Sequence, residues 1–165
     1  MKAIFKRDFK SYFTSPVGYI FLAIMLFFQG WFFANLYLNG MSNISYVFSD
    51  MCMFNFFLIP ILTMRTMSED RRQKVDQVLL TSPVSLWGLV FGKFFATLAI
   101  FLMGYSMTTV FQIIIVFQNV TINWLVYIGN ILGIALMGSA LIALGIFISS
   151  MTENQLVAAV ISFTV

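Results

Sequence analysis

The sequence predicts an all-α fold, a polytopic bundle of transmembrane helices, and three observations predict it. Hydrophobic residues make up 61% of the chain and charged residues only 9%, with a mean hydropathy of +0.95, whereas a soluble domain carries roughly a quarter charged residues. The apolar runs are continuous rather than alternating, which argues against the strands of a membrane barrel. All nine lysines and arginines fall in an N-terminal prefix or in a central segment, so long stretches carry none. At about 20 residues per span, the 165 residues have room for one transmembrane domain of roughly four to six helices.

Residues 1–13, MKAIFKRDFKSYF, form the basic prefix. At about 100° per residue, Ile4, Phe5, Phe9, Tyr12 and Phe13 fall on one half of a helix and Lys6, Arg7 and Lys10 on the other, with Asp8 interrupting the apolar half. Such an amphipathic helix lies along a membrane surface with its cations near anionic headgroups. A plain anchoring role for the same cations stands beside that reading. The first apolar run covers residues 17–38. It exceeds the roughly 7–15 residue apolar region of a signal peptide and lacks an A-x-A-like cleavage site after it, so a retained span is expected.

A second span is expected over residues 45–64. Pro60 removes a backbone hydrogen bond there and predicts a kink, which a bundle tolerates. Asp50 is the one acid near membrane depth, and an interfacial position at the start of this span suits it better than a buried one. Spans over residues 94–117 and 124–148 follow, and a fifth apolar run starts at Gln155. Residues 155–165 are too few to cross about 30 Å of hydrocarbon at about 1.5 Å per residue. The run is therefore expected to continue past Val165, which makes any helix number a lower bound.

Sidedness follows from the cations. Lys2, Lys6, Arg7 and Lys10 precede the first span, Arg65, Arg71, Arg72, Lys74 and Lys93 lie around the central segment, and the loops at 39–49 and 118–123 have none. The positive-inside rule then makes residues 1–13, 65–93 and 149–154 cytoplasmic, in a cell (plasma) membrane with the N-terminus inside. Trp31, Tyr37, Trp124 and Tyr127 fit an external aromatic belt.

The central segment reads as two short helices. Thr66 and Glu69 have capping-box spacing, and the pairs Asp70 with Lys74 and Arg72 with Asp76 stand at i, i+4. Ser82 as N-cap and Pro83 at the first helical position end one helix and start the next. A charged helix on short tethers suits force transmission to a soluble partner; a solvated loop of paired charges is the plainer reading.

Several chemistries are excluded. Gly88, Gly92 and Lys93 superficially suggest a phosphate loop, but the glycines are one residue too close and Phe94 replaces the required hydroxyl. Lys93 reads instead as a snorkelling residue at the inner boundary of the third span. Histidine is absent, and no nucleophile–base or metal constellation is present. No cofactor, metal or nucleic-acid partner is expected. Cys52, the only cysteine, reads as a packed core residue. Gly88 with Gly92, and Gly129 with Gly133, have the spacing of close helix packing. Gln29, Asn55 and Gln112 are polar residues within spans that line a path or bond across helices.

Residues 58–93, LIPILTMRTMSEDRRQKVDQVLLTSPVSLWGLVFGK, resemble the signature region of type-2 permeases of ATP-binding-cassette (ABC) exporters. The Glu69-Asp70-Arg71-Arg72 cluster, the run from Leu79 through Ser85 and the Gly92-Lys93 pair occur in that family's order. The start KAIFKRDFKSYFTSPVGYI is similar to the branch that includes gliding-motility and copper-enzyme-maturation permeases. The resemblance implies a non-enzymatic membrane subunit that pairs with a second permease half, as a homo- or heterodimer, and rides on cytoplasmic ABC ATPase subunits. It implies a coupling helix at residues 66–80 between spans two and three. Glu69, Asp70, Arg71, Arg72, Lys74, Asp76, Ser82 and Pro83 would face the ATPase, and Lys6, Arg7 and Lys10 would mark the interface helix. The competing reading is a membrane anchor or assembly scaffold that recruits a cytoplasmic protein without transport. A secondary transporter fits less well, because buried ionisable groups are scarce.

Overall fold

The structure is a computed structural model, and it describes residues 2–40, 43–64, 66, 86–117, 123–151, 157 and 160–162. Five helices carry most of these residues: α1 (Lys2–Thr14), α2 (Pro16–Leu38), α3 (Ser45–Thr63), α4 (Leu86–Val116) and α5 (Trp124–Met151). The last four are long and apolar enough to cross a membrane, so the chain is a multi-pass membrane protein of the expected all-α class.

A corner joins α1 to α2. Ser15 is extended (φ −101°, ψ 152°) and Pro16 opens the next helix, because proline disfavours helical backbone in the residue before it and fits the first turn. The turn is tight enough that a Cβ on Gly18 would meet the Tyr12 backbone carbonyl. Along α2 the buried stripe is Gly18, Phe21, Met25, Gln29 and Leu36, at helical spacing. The helix ends at Asn39, with Gly40 in the left-handed region (φ 68°) and its amide donating to the Tyr37 carbonyl at 3.1 Å.

Helix α3 is the most buried of the four spans. Val47, Phe48, Met51, Asn55, Leu58, Ile59, Leu62 and Thr63 are buried, which covers two faces of the helix rather than one. Helix α2 packs along it through Phe28 and Phe32, whose rings lie 4.4 and 5.4 Å from that of Phe54. The ladder continues past Pro60, whose own carbonyl accepts from the Met64 amide at 2.8 Å. Asp50 sits in the second turn of α3 and is exposed.

Among the described residues helix α4 covers Leu86–Val116, roughly 45 Å at about 1.5 Å per residue, more than the ~30 Å of hydrocarbon. Helix α5 includes residues 149–151 of the polar patch at 149–154. Its start is capped by Asn123, whose side-chain oxygen accepts from the amides of Leu125 and Val126. Helices α3 and α5 pack together through small residues: a Cβ on Gly145 would meet the Thr63 side chain, and one on Gly138 the Phe101 ring of α4. Beside Gly129 and Gly133 there is open space within 4 Å, in a groove of about 530 Å³ also lined by Ser45, Ser49, Cys52 and Asn130. Of the expected aromatic belt, Trp31, Tyr37 and Trp124 are exposed. Tyr127 is not; it is buried edge-on against Phe48 at 5.9 Å.

The two glycine environments predict opposite outcomes. Gly18→Ala forces the α1–α2 corner apart and is expected to destabilise the purified protein in bicelles by about 1–3 kcal/mol. Gly133→Ala is expected to leave its unfolding free energy unchanged or slightly raised, since alanine is the better helix former.

Candidate functional site

Polar side chains inside an apolar bundle are costly unless partnered, so they mark positions where something other than packing is at stake. Among the described residues they form two layers. The first lies where α1 meets α4 and the end of α3, with α5 reaching the same end of α3. Lys93, two turns into α4, is only 3% exposed. Its ammonium donates to the backbone carbonyl of Thr66 and stands 3.6 Å from Asp8 Oδ2. Asp8 itself is mostly buried, and its other carboxylate oxygen accepts from Arg7 Nε at 2.8 Å. One turn further along α1, the Tyr12 hydroxyl donates to the Leu62 carbonyl at 3.3 Å and lies 3.2 Å from Thr97 Oγ1. The Ser149 hydroxyl of α5 donates to the Met64 carbonyl at 3.2 Å.

These contacts share a target. A helix leaves its last carbonyls without intrahelical partners, and around the end of α3 side chains of three other helices meet the carbonyls of Leu62, in its last turn, and of Met64 and Thr66, just past it. Tyr12 of α1 takes Leu62, Ser149 of α5 takes Met64, and Lys93 of α4 takes Thr66. A cation is the favourable group at that negative end of the helix dipole. Lys93 is therefore not the snorkelling boundary residue that hydropathy suggests; its charge turns inward because Asp8 and the α3 terminus solvate it there.

Helix α1 accordingly has three faces, not the two of the helical wheel. Ile4, Asp8 and Tyr12 face the bundle. Phe5, Phe9 and Phe13 form a half-buried ladder with ring centroids 5.8 and 5.3 Å apart, which Tyr19 of α2 extends at 5.8 Å. Lys6, Arg7 and Lys10 are exposed on the remaining side. Asp8 was the residue that spoiled the amphipathic pattern. Its register with Ile4 and Tyr12 at i, i+4, i+8 is the signal that marks it as inward-facing.

The second layer sits deeper in the bundle. Asn55 of α3 and Tyr105 of α4 are buried and pair through the Tyr105 hydroxyl, 2.8 Å from Asn55 Nδ2 and 3.1 Å from its Oδ1. Gln29 of α2 donates to the Gly104 carbonyl at 3.3 Å. Both residues thus bond across helices. The side chain of Gln112 lies outside the described residues, as do Glu69, Asp70, Arg71, Arg72, Lys74, Asp76, Ser82 and Pro83. Thr66 is described: its hydroxyl donates to the Thr63 carbonyl at 2.7 Å.

A family model described as "ABC-2 family transporter protein" matches residues 33–165, most of the chain. No curated protein and no solved structure matches it.

Lys93→Met strands the Asp8 carboxylate and is expected to cost about 3–5 kcal/mol of unfolding free energy, most of which Asp8→Leu added to Lys93→Met restores by removing the second charge. A double-mutant cycle of Asn55→Leu and Tyr105→Phe is expected to give a coupling of about 0.6–1.7 kcal/mol. Both are measured on purified protein in bicelles.

Proposed function

The chain belongs to the ABC-2 family of transporter proteins, membrane permease subunits of ABC transporters, and on that premise we propose that it is half of the membrane path of an ATP-driven exporter. ATP is hydrolysed by separate cytoplasmic ABC ATPase subunits, and a second permease half, a copy or a relative, completes the path. The N-terminus and residues 65–93 face the cytoplasm of a cell whose plasma membrane holds the protein.

The observation that carries the reading is that the matched stretch, residues 33–165, includes the charged segment between α3 and α4. In a bundle otherwise poor in charge, that segment is the surface suited to a soluble partner, and its acids and bases at helical spacing are suited to a groove on an ATPase. Glu69, Asp70, Arg71, Arg72, Lys74 and Asp76 make the contact, and Ser82-Pro83 returns the chain to α4. The same four residues, Thr-Ser-Pro-Val, occur at 14–17 and at 81–84. At the first occurrence they form the corner between α1 and α2, which supports a corner at the second.

Helix α1 is the interface helix. Its phenylalanine ladder suits the acyl boundary and Lys6, Arg7 and Lys10 suit anionic headgroups, the arrangement of a helix lying at a membrane surface.

The test is co-purification with an ABC ATPase subunit from the source cell. Glu69→Lys with Arg72→Glu is expected to abolish capture of the ATPase while leaving membrane abundance unchanged. Undiminished capture by that variant, or ATP-independent capture of a non-ATPase instead, would favour the anchor or scaffold reading.

A further inference from the structure

We infer that Lys93 is a positioning residue: held between the Asp8 carboxylate and the Thr66 carbonyl, its ammonium makes α1, the start of α4 and the root of the charged segment move as one body. The inference rests on the coupling role proposed for residues 66–80 and goes beyond it, since it names the joint through which a push at that segment reaches the membrane helices.

Three features of the geometry carry it. Thr66 lies three residues past the end of α3, at the threshold of the charged segment, and Lys93 reaches its carbonyl from two turns inside α4, 27 residues away. Both roots of the segment are thus tied to each other by one side chain. The same ammonium stands 3.6 Å from Asp8 Oδ2, an oxygen that is buried and has no hydrogen bond among the described residues. Lys93 is the charge that this oxygen meets from another helix, so separating α1 from α4 would leave the mostly buried carboxylate with only the exposed Arg7 of its own helix. Finally, the Tyr12 hydroxyl, one turn along, lies against both the Leu62 carbonyl of α3 and Thr97 of α4. Two contacts one turn apart resist rotation of α1 as well as its separation.

A joint that stays made carries a displacement of one element to the others as a rigid-body motion. A surface ion pair would not serve, because water would replace it at little cost. With only 4% of the Lys93 side chain and 13% of that of Asp8 exposed, this pair is shielded from that exchange.

The test uses the full permease–ATPase assembly in lipid nanodiscs, with Cys52→Ser and spin labels at Ser11→Cys on α1 and Leu136→Cys on α5, both exposed positions. The inter-label distance is read without nucleotide and with ATP plus vanadate. The parent assembly is expected to show a shift between the two conditions. Asp8→Leu with Lys93→Met is expected to retain the ATPase, because the charged segment is untouched, and to lose the shift. Lys93→Arg, which keeps the charge, is expected to keep it. If the double variant does not accumulate, Asp8→Asn replaces it with the same expected loss. A full shift in either neutralised variant with the ATPase bound, or no shift in the parent, overturns the inference and leaves the permease reading standing. Failure of the parent to hold the ATPase instead overturns the proposed function itself.

Discussion

The end of α3 is the constraint on which the other elements depend. A helix that stops at the edge of hydrocarbon must satisfy its terminal carbonyls, and little water is there to do it. Here Met64 and Thr66 take the carbonyls of Pro60 and Thr63 locally, a phenol from α1 takes that of Leu62, and a serine hydroxyl from α5 and a lysine from α4 take those of Met64 and Thr66 just beyond. Each of the three side chains from other helices fixes the height and rotation of its own helix relative to α3. The lysine adds a requirement, because a buried cation needs an anion, and Asp8 supplies it from α1. A short amphipathic helix that hydropathy alone would leave lying on the membrane is in this way fastened to the bundle.

Small residues stand at the close approaches of the helices: Gly145 against Thr63, Gly138 against Phe101, Gly104 against Met25, and Gly18 beneath the Tyr12 carbonyl. They let backbones approach closely enough for short polar side chains to reach carbonyls on the next helix. Gly129 and Gly133, at the far end of α5, have no such neighbour, although their spacing is the more familiar packing signature. Spacing identifies a face that can pack; only the tertiary arrangement decides whether it does.

Much of the fold was legible in the sequence because hydropathy acts locally. Four apolar runs became four long helices. The charged joint was not legible, for a physical reason. Window hydropathy treats any lysine as a boundary, whereas burial depends on a partner 85 residues away in Asp8. The helical wheel of α1 failed for a related cause: it assigns residues to two sides, and the helix has three environments, bundle, aromatic ladder and exposed cations. Tyr127 looked like an interfacial anchor by position along its span, but rotation about the helix axis, set by packing on Phe48, turned it inward. Of the candidate site, the distribution of charge marked the central segment, while the residues that join its root to the bundle emerged only from the fold.

The central claim is that one buried cation ties α1 to the end of α3. Hydrogen–deuterium exchange on the protein in nanodiscs tests it most directly, comparing Lys93→Met with the parent chain. The account predicts faster exchange at two separate places at once, the amides of α1 and those of residues 62–66, with the middle of α5 unchanged. Faster exchange at residues 62–66 alone, with α1 protected as in the parent, would contradict it.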